Sequence, residues 1–330
     1  MNEIGSEFWT VETQERENNF FPPNIQWFLS GRSALKAVIK NLDNCKTVAM
    51  PSWCCDSMIK PFIDVGIEVK YYPVYWQDGL IEEISTDCDI LFLIDYFGHT
   101  SDSVSLSGYK GVVVRDCTHS LFSGTSNDAD YYFGSLRKWS GLWTGGYAWT
   151  RSDRMLSIDS SDDNGFALLR KEAMAKKKEY IKGEIHDKDY LFLFNKAEET
   201  LNDMGIVSAA DRDVRIAQRI DVNGIRSQRR KNANVLMEAF PELLIFRDYN
   251  DQDCPMFVPI LVPNAERDAL RAYLTNNNIY CPVHWPISEL HRLDSKEKSI
   301  YDNELSLVCD QRYTTNDMHR MVDVIMTFWK

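Results

Sequence analysis

The sequence predicts an α/β fold, with a mostly parallel central sheet in a large domain and a small α+β domain at the C-terminal end. Two observations carry this prediction. From residue 25 onward, short runs of apolar, β-branched or aromatic residues alternate with segments of helical periodicity, which is typical of parallel strands joined by crossover helices. The chain also has 330 residues, and because single hydrophobic cores stop growing at about 250 to 300 residues, two domains are expected.

Short apolar runs mark the expected strands of the large domain. These runs stand at 47–50, 67–72, 89–94, 111–115 and 147–150. Apolar residues at helical spacing predict a helix over 34–42, and a second helix, which contains Pro61, over 55–65. This order of strands and helices is that of an α/β domain.

The pattern changes near residue 203. The segment 209–240 is interpreted as a long, charged helix, interrupted near Asn223-Gly224, that links the two domains. Beyond this helix we expect a strand at 256–262, a helix at 266–276 and a last helix at 317–329 with Thr315 as its cap. The predicted large domain therefore covers 1–240, including the linking helix, and the predicted small domain covers 241–330.

Composition argues against several classes of function. A net charge of -12 disfavours non-specific binding to nucleic acid or to an anionic membrane, which needs a field of Lys and Arg. The basic runs at 170–182 and 226–231 are interpreted as solvated helix faces. No apolar run approaches the roughly 18 to 20 residues that span a bilayer, and the histidines lack the spacing of a metal site. The cysteines have no CxxC pairing and the first residues do not resemble a signal region, so we expect a cytoplasmic protein with reduced thiols.

The most informative stretch is SLRKW at 135–139, followed by Gly145 and Gly146. A serine three places before a lysine can anchor a phosphate beside an amine. The amine of Lys138 could form a Schiff base with an aldehyde, most readily if burial by the apolar residues 131–134 lowers its pKa. The pairing of Ser135 with Lys138 therefore points to pyridoxal phosphate, although most single lysines are solvated surface charges.

Two further side chains suit the ring of that cofactor. Asp116 follows an apolar run at 112–114 and Arg115, at the carboxyl end of a predicted parallel strand, where open α/β sheets bind ligands. A carboxylate there would stabilise a protonated pyridine nitrogen. His119 could form a hydrogen bond with the phenolic oxygen of the ring. A capping or surface aspartate and a histidine satisfied by local backbone are the structural alternatives.

A phosphate site is expected where Ser30, Gly31, Arg32 and Ser33 precede the helix that begins near Ala34. A helix N-terminus offers unpaired amide donors, and a glycine allows close approach of the backbone. An ordinary serine cap explains the same residues equally well. The chain has no GxGxxG or GxxxxGK[ST] motif, which weakens hydride transfer and nucleotide hydrolysis as alternative functions.

In this order, the motifs resemble the DegT/DnrJ/EryC1/StrS family of pyridoxal-phosphate-dependent sugar aminotransferases. The similar segments are 30–35, 51–69, 95–98 (DYFG), 115–119 (RDCTH), 135–139 with 145–146, 205–221, 279–286 and 305–317. The resemblance runs nearly end to end. It implies the fold type I aminotransferase fold and a homodimer whose two subunits complete each other's active sites.

The resemblance also implies roles for the residues around the cofactor ring. Lys138 would carry the cofactor as a Schiff base, Asp116 would pair with the pyridine nitrogen, and His119 would contact the ring oxygen. His284 would face the substrate cleft from the small domain, with a structural histidine beside Trp285 as the alternative.

The resemblance further implies a phosphate site and a reaction. Ser135, with Gly31, Arg32 and Ser33, would hold the phosphate. The reaction would move an amino group from an amino acid, usually glutamate, to a keto sugar. By the same resemblance the sugar would be nucleotide-linked and used in surface polysaccharide or secondary-metabolite synthesis.

Two segments depart from the family pattern. Relatives place an aromatic or other flat group over the cofactor after Pro51, and this chain has Cys55 at that position. Trp53, two residues away, is the alternative, and the sequence does not rank the two. Where relatives supply an asparagine to the partner subunit's phosphate, this chain has 208–212 (SAADR), so Ser208 and Arg212 are the candidate replacements.

Three other functions remain open at this point. Related dehydratases carry a histidine in place of the lysine, so Lys138 favours amino transfer over dehydration. The missing aromatic at Cys55 is compatible with a non-catalytic regulatory or binding module that retains the cofactor. The short chain and the segment around His284 are compatible with an aminotransferase for a carbonyl acceptor other than a sugar.

Overall fold

The computed structural model describes residues 3–99, 106, 108–124, 127–152 and 154–330. The strands are β1 (Ile4–Gly5), β2 (Gln26–Phe28), β3 (Thr47–Pro51), β4 (Glu68–Tyr72), β5 (Val74–Trp76), β6 (Leu80–Glu82), β7 (Ile90–Ile94), β8 (Val112–Asp116), β9 (Tyr131–Ser135), β10 (Gly146–Thr150), β11 (Phe257–Leu261), β12 (Ile279–Tyr280) and β13 (Glu304–Val308). The helices are α1 (Gly31–Lys40), α2 (Asp56–Asp64), α3 (Phe166–Lys182), α4 (Tyr190–Thr200), α5 (Asp211–Ala217), α6 (Val222–Ala239), α7 (Arg267–Asn276), α8 (Ser295–Asn303) and α9 (Thr315–Phe328). None of the helices in the described ranges is long and apolar enough to cross a membrane.

A central sheet carries the candidate site. Within the described residues its strand order is β2-β10-β9-β8-β7-β3-β4. The strands from β9 to β4 pair in parallel, and β10 runs antiparallel to both β9 and β2. The predicted α/β class with a mostly parallel sheet is therefore confirmed.

The strands of the sheet form where apolar residues are covered on both faces. Every residue of β7 is buried, as are four of the five residues of β3 and of β8. Strands buried in this way read as continuous apolar runs rather than as alternating ones. All five predicted strand runs are present, with ends within one residue of those expected, including the edge strand β4, where exposed and partly buried residues alternate up to Tyr72.

The C-terminal region packs around the antiparallel pair β11 and β13. Helices α6, α7 and α9 cover this pair and share one apolar core with it. Ile4 belongs to the same core, because β1 pairs in parallel with β12. The first strand of the chain thus packs with the C-terminal region, while the division at residue 240 stays a prediction.

Two predicted helix boundaries are wrong. The segment 209–240 is not one helix interrupted at Asn223-Gly224 but two helices, α5 and α6, separated at 218–221. Asp221 caps α6 by accepting a hydrogen bond from the Gly224 amide, so Gly224 lies inside the first turn. The cap of α9 is Thr314 rather than Thr315, in a capping box that Asp317 completes.

Candidate functional site

Lys138 ends a 3₁₀ turn (Leu136–Lys138) that follows β9. Its side chain is exposed, whereas Leu136 and Trp139 on either side are fully buried. We expected residues 131–134 to bury the amine of Lys138. They do not, because they form β9 and pack within the sheet. Lys138 instead borders a cavity of about 470 Å³.

Charged side chains surround Lys138 in this cavity, among them Arg137 and Glu198. Arg137 Nη1 donates to Glu198 Oε1 at 2.7 Å. Partial burial would raise the pKa of Glu198, but Arg137 and Lys138 outweigh it and lower this pKa to about 2. An ionised carboxylate therefore stands beside Lys138 at neutral pH.

Asp116 lies at the carboxyl end of β8 and is 2% exposed. Its Oδ1 accepts a hydrogen bond from the Thr118 amide at 2.7 Å. Burial raises the pKa of Asp116 to about 6, although the bond from Thr118 opposes this shift. Over the described residues no Lys, Arg or His forms an ion pair with Asp116, so the buried carboxyl lacks a protein cation.

His119 is packed among aromatic rings. Trp285 stacks on its imidazole with 5.5 Å between the ring centroids, and the rings of Phe97 and His284 lie at 5.1 and 5.2 Å. Burial and the nearby Lys138 lower the pKa of His119 to about 3, so the ring is neutral. Its Nδ1 is buried without a hydrogen-bond partner in the described part of the chain.

Two hydrogen bonds join the loop after Asp116 to the lysine motif. Trp139 Nε1 donates to the Thr118 carbonyl at 2.7 Å. The Tyr147 hydroxyl donates to the Cys117 carbonyl at 2.8 Å. The residues that border the sheet edge at Asp116 and at Lys138 are thereby held in one rigid arrangement.

The N-terminus of α1 packs directly on β9 and β10. A Cβ added to Gly31 would lie 3.3 Å from Ser135 Cβ, and one added to Gly146 would lie 2.0 Å from the Ser30 carbonyl oxygen. Glycine at 146 is what permits this approach. The Oγ of Ser135 is buried and has no partner among the described residues. The unpartnered hydroxyl of Ser135 therefore lies next to the first turn of α1.

The side chains of Arg32 and Ser33 are directed elsewhere. Arg32 Nη1 donates to Asn202 Oδ1 at 3.3 Å, and Ser33 Oγ donates to the Gly205 carbonyl at 2.9 Å. The Ser33 amide is capped by Ser30 Oγ. The structure therefore brings Gly31 together with Ser135, and uses the side chains of Arg32 and Ser33 to attach α1 to the 202–205 segment.

The two candidates for covering the cofactor ring occupy different environments. Trp53 is fully buried, with its ring stacked on Tyr96 at 4.8 Å, and its Nε1 donates to the His284 carbonyl at 2.8 Å. Cys55 is partly exposed, and its Sγ contacts Ser57 Oγ at 2.8 Å. Part of Cys55 thus remains accessible, whereas Trp53 is packed in the protein interior.

The partner-facing candidates Ser208 and Arg212 lie around α5. The guanidinium of Arg212 covers the Trp143 ring at 3.8 Å and donates to Asp213. The Ser208 amide donates to the Ser160 carbonyl. A role of either residue toward a second subunit stays a prediction.

His284 lines the same cavity as Lys138. Its Nδ1 lies 2.8 Å from Ser306 Oγ, and its amide donates to Glu304 Oε2 at 2.7 Å. Ser306, Glu304 and Trp285 were not predicted from the sequence as neighbours of the site. Only the HW pair at 284–285 carried a local signal, because Ser306 and Glu304 meet His284 where the Ser306 amide donates to the distant Pro282 carbonyl.

No protein-family model matches the sequence, and no curated protein matches it. Solved structures do match over most of the chain. Helicobacter pylori PseC, an aminotransferase involved in the biosynthesis of pseudoaminic acid, has a TM-score of 0.64 at 14% identity and covers 98% of this chain and 99% of its own. A DegT DnrJ EryC1 StrS aminotransferase from Brucella abortus has a TM-score of 0.59 at 15% identity, with coverage of 92% and 85%.

A third match carries a bound cofactor. NtdA from Bacillus subtilis, with bound cofactor PMP, has a TM-score of 0.60 at 12% identity and covers 92% of this chain and 72% of its own. At these identities the likeness concerns the fold. The chain has the type I aminotransferase fold of the DegT/DnrJ/EryC1/StrS structures.

Proposed function

We propose that this chain is a pyridoxal-phosphate-dependent aminotransferase in which Lys138 carries the cofactor. One observation carries the proposal: among the buried groups near Lys138 that lack a matching partner within the described residues, three are of the kinds that would meet the ring and the phosphate of this cofactor. They are the Asp116 carboxyl without a cation, His119 Nδ1 and Ser135 Oγ. A pyridine nitrogen, a phenolic oxygen and a phosphate are partners that suit these three groups.

Different residues of the chain would bind different parts of the cofactor. When bound, pyridoxal phosphate supplies an aldehyde that condenses with amines and a ring that accepts electrons. Asp116 would hold a proton on the ring nitrogen, because a buried carboxylate is stabilised by an adjacent cation. The neutral His119 would bind the phenolic oxygen. Ser135, with the amides of the first turn of α1 at Gly31, would bind the phosphate.

Lys138 would have two tasks in this reaction. Its exposed Nζ can reach a cofactor from the cavity side. Once the amino donor has displaced it, the free amine would take the proton from the donor's Cα and return it to the former aldehyde carbon of the cofactor, on the other side of the shared nitrogen. Both tasks require a neutral amine for part of the cycle.

The cavity and the likeness of the fold support a proposal for the substrates. The cavity volume of about 470 Å³ lies within the usual range for small-molecule sites. Six Lys and Arg residues border the cavity against three acidic residues, Glu7, Glu198 and Asp310, and this excess of positive charge favours substrates that carry carboxylate or phosphate groups. We accordingly propose an amino acid donor, glutamate first, and a nucleotide-linked keto sugar as acceptor, for surface polysaccharide or secondary-metabolite synthesis by a cytoplasmic homodimer.

A half-reaction tests the proposed function. Purified protein is loaded with pyridoxal phosphate, mixed with L-glutamate and then with the other common amino acids, and followed by absorbance and by release of the keto acid. We expect the absorbance of the Lys138-bound cofactor to disappear within seconds, with about one keto acid formed per loaded site. Lys138→Ala should abolish the signal, and the exposed control Lys46→Ala should retain it.

A loaded protein that no amino acid converts would contradict the proposed function. That result would support the alternative of a regulatory or binding module. A panel of nucleotide-linked keto sugars and simple keto compounds, analysed by mass spectrometry, would then identify the acceptor of a converted enzyme.

A further inference from the structure

A line of hydrogen bonds leads from the cavity beside Lys138 into a buried carboxyl group. His284 Nδ1 lies 2.8 Å from Ser306 Oγ, and the Ser306 hydroxyl donates to Glu304 Oε1. Ser306 and Glu304 are both fully buried. They stand two residues apart on β13, so their side chains emerge on the same face of the strand.

The backbone of His284 is held from two sides. Its amide donates to Glu304 Oε2 at 2.7 Å, and its carbonyl accepts from Trp53 Nε1 at 2.8 Å. With the peptide fixed and Nδ1 turned toward Ser306, Nε2 is the ring nitrogen that His284 can present to the cavity. Lys138 borders the same cavity.

With a neutral imidazole, the three side chains have two consistent arrangements of protons. If Glu304 is ionised, the single Ser306 proton points to Glu304, so Nδ1 must carry a proton and Nε2 is an acceptor. If Glu304 is protonated and donates to Ser306, the serine proton points to Nδ1 and Nε2 carries a proton. The imidazole is neutral in both arrangements.

The second arrangement arises from the first by adding one proton. A proton taken up at Nε2 is matched by movement of the Nδ1 proton to Ser306 and of the serine proton to Glu304. Delivery of a proton from Nε2 reverses these movements. The charge change therefore occurs on Glu304, while the ring of His284 passes the proton on.

The electrostatic surroundings support this distribution of charge. Burial, assisted by His119 and Lys138, lowers the pKa of His284 well below its ordinary value and disfavours an imidazolium. Burial also raises the pKa of Glu304 to about 8, against the opposing effects of the His284 amide, Ser306 and Arg267. Cys281 faces Glu304 as well, and burial raises its own pKa to about 12, so it stays protonated over the same range.

We propose that Glu304 and Ser306 form with His284 a proton relay that serves the cavity beside Lys138. Glu304 is the buried end of the relay and His284 Nε2 is the end open to substrate. The relay itself is a property of this chain. The reaction that it would serve rests on the proposed aminotransferase function.

In that reaction the relay would assist the exchange of oxygen for nitrogen. When an amine replaces a carbonyl oxygen, the carbon–oxygen bonds break, a carbon–nitrogen double bond forms, and the oxygen leaves as water with the two protons of the amine. Nε2–H lends one proton to the departing oxygen, and the nitrogen returns its last proton to Nε2. The relay thus ends as it began, with no net gain of protons.

Nuclear magnetic resonance of the full chain with ¹⁵N-labelled histidine tests the relay directly. Spectra are recorded at about pH 6 and about pH 10, on either side of the Glu304 pKa of about 8, and His284 is assigned by the signals that His284→Gln removes. We expect Nε2 of His284 to be protonated at the lower pH and unprotonated at the higher pH, with Nδ1 changing in the opposite sense.

Two variants and two controls make the test specific. Glu304→Gln cannot titrate, so the tautomer of His284 should no longer change with pH. Ser306→Ala breaks the relay and should also abolish the coupled change; Ser157→Ala is its control, because the Ser157 Oγ is buried without a partner among the described residues and lies outside the lysine motif. His291 is the internal control, since its Nε2 faces the Cys54 carbonyl at 3.0 Å rather than the relay.

The outcomes separate the relay from the proposed function. An unchanged tautomer of His284 in the wild-type protein, or the same change in both relay variants, would overturn the relay whatever the enzyme does. Failure of amino acids to convert the loaded protein would overturn the proposed function and leave the spectra to decide the relay. With both intact, Ser306→Ala should lower turnover by about 100-fold, and Ser157→Ala should not.

Discussion

The indole N–H of Trp53 donates a hydrogen bond to the backbone carbonyl of His284, with 2.8 Å between Nε1 and the oxygen. This bond connects the segment after β3 to the C-terminal region at the edge of the cavity. The ring of Trp53 is fully buried against Tyr96. In this arrangement Trp53 positions His284, and Cys55 is the residue of the segment with an open side.

Substitution of Trp53 and of Cys55 should therefore have different effects. Trp53→Phe removes the donor to a buried carbonyl, and we expect the free energy of unfolding to fall by about 1 to 3 kcal/mol, with the absorbance maximum of the bound cofactor unchanged. Cys55→Ala should change that maximum or the cofactor affinity with less effect on stability. Denaturant titration and absorbance spectra check both. An altered maximum in Trp53→Phe alone would show that Trp53 contacts the cofactor.

Glycine at 146 should be essential to the phosphate side of the site. An added Cβ would lie 2.0 Å from the Ser30 carbonyl oxygen, so Gly146→Ala must displace the start of α1. We expect a loss of stability of about 1 to 3 kcal/mol or more and weaker binding of pyridoxal phosphate, measured by denaturant titration and by cofactor titration. Gly205→Ala is the control, because nothing lies within 4 Å of its added Cβ. Equal effects of the two substitutions would contradict this account of the site.

Local sequence patterns were sufficient to predict most of the central sheet and the cofactor motifs. β7 is buried at every residue, so its sequence is an uninterrupted apolar run. Asp116 and Lys138 stand directly at or just beyond strand ends, so their positions follow from the strands themselves. In such places the chemistry and the secondary structure are encoded by the same few neighbouring residues.

Contacts between distant segments could not be predicted in this way. Glu304 and Ser306 alternate with apolar residues in β13, a pattern that predicts an exposed polar face, yet both residues are buried. Ser306 meets His284 because its amide donates to the Pro282 carbonyl at 3.0 Å, a pairing across more than 20 residues. The packing of Trp285 on His119 depends on the same arrangement of the C-terminal region.

Asp116 should make stability depend on pH in the protein without cofactor. Its folded-state pKa of about 6 is raised from 3.8, so between these values the folded state holds more protons than the unfolded state. This group's contribution to the free energy of unfolding is therefore full below about pH 4 and falls as pH rises toward 6. Denaturant titrations of Asp116→Asn across this window should show a shallower decline than the wild type.

Pyridoxal phosphate should reverse this dependence. A protonated ring nitrogen favours the ionised carboxylate, so cofactor affinity should rise with pH across the same window and lose this rise in Asp116→Asn. Cofactor titration at several pH values measures the effect. Identical pH profiles of affinity in the two proteins would contradict the pairing of Asp116 with the ring nitrogen.

Glu304 should add a second pH dependence at higher pH. Its folded-state pKa is raised from 4.5 to about 8, so its contribution to the free energy of unfolding is full below about pH 4.5 and is lost as pH rises toward 8. Between these values the wild-type protein should lose up to about 1.4 kcal/mol per pH unit more than Glu304→Gln. Parallel stability curves for the two proteins would show that Glu304 does not hold a proton in the folded state.

Covalent mapping of the bound cofactor directly tests the proposal that Lys138 carries it. The purified chain is incubated with pyridoxal phosphate, reduced with borohydride, digested and analysed by peptide mass spectrometry. We expect one reduced cofactor per chain, attached to Lys138 Nζ, and none in Lys138→Ala at matched loading. Attachment to other lysines, or equal labelling of the wild type and Lys138→Ala, would contradict it.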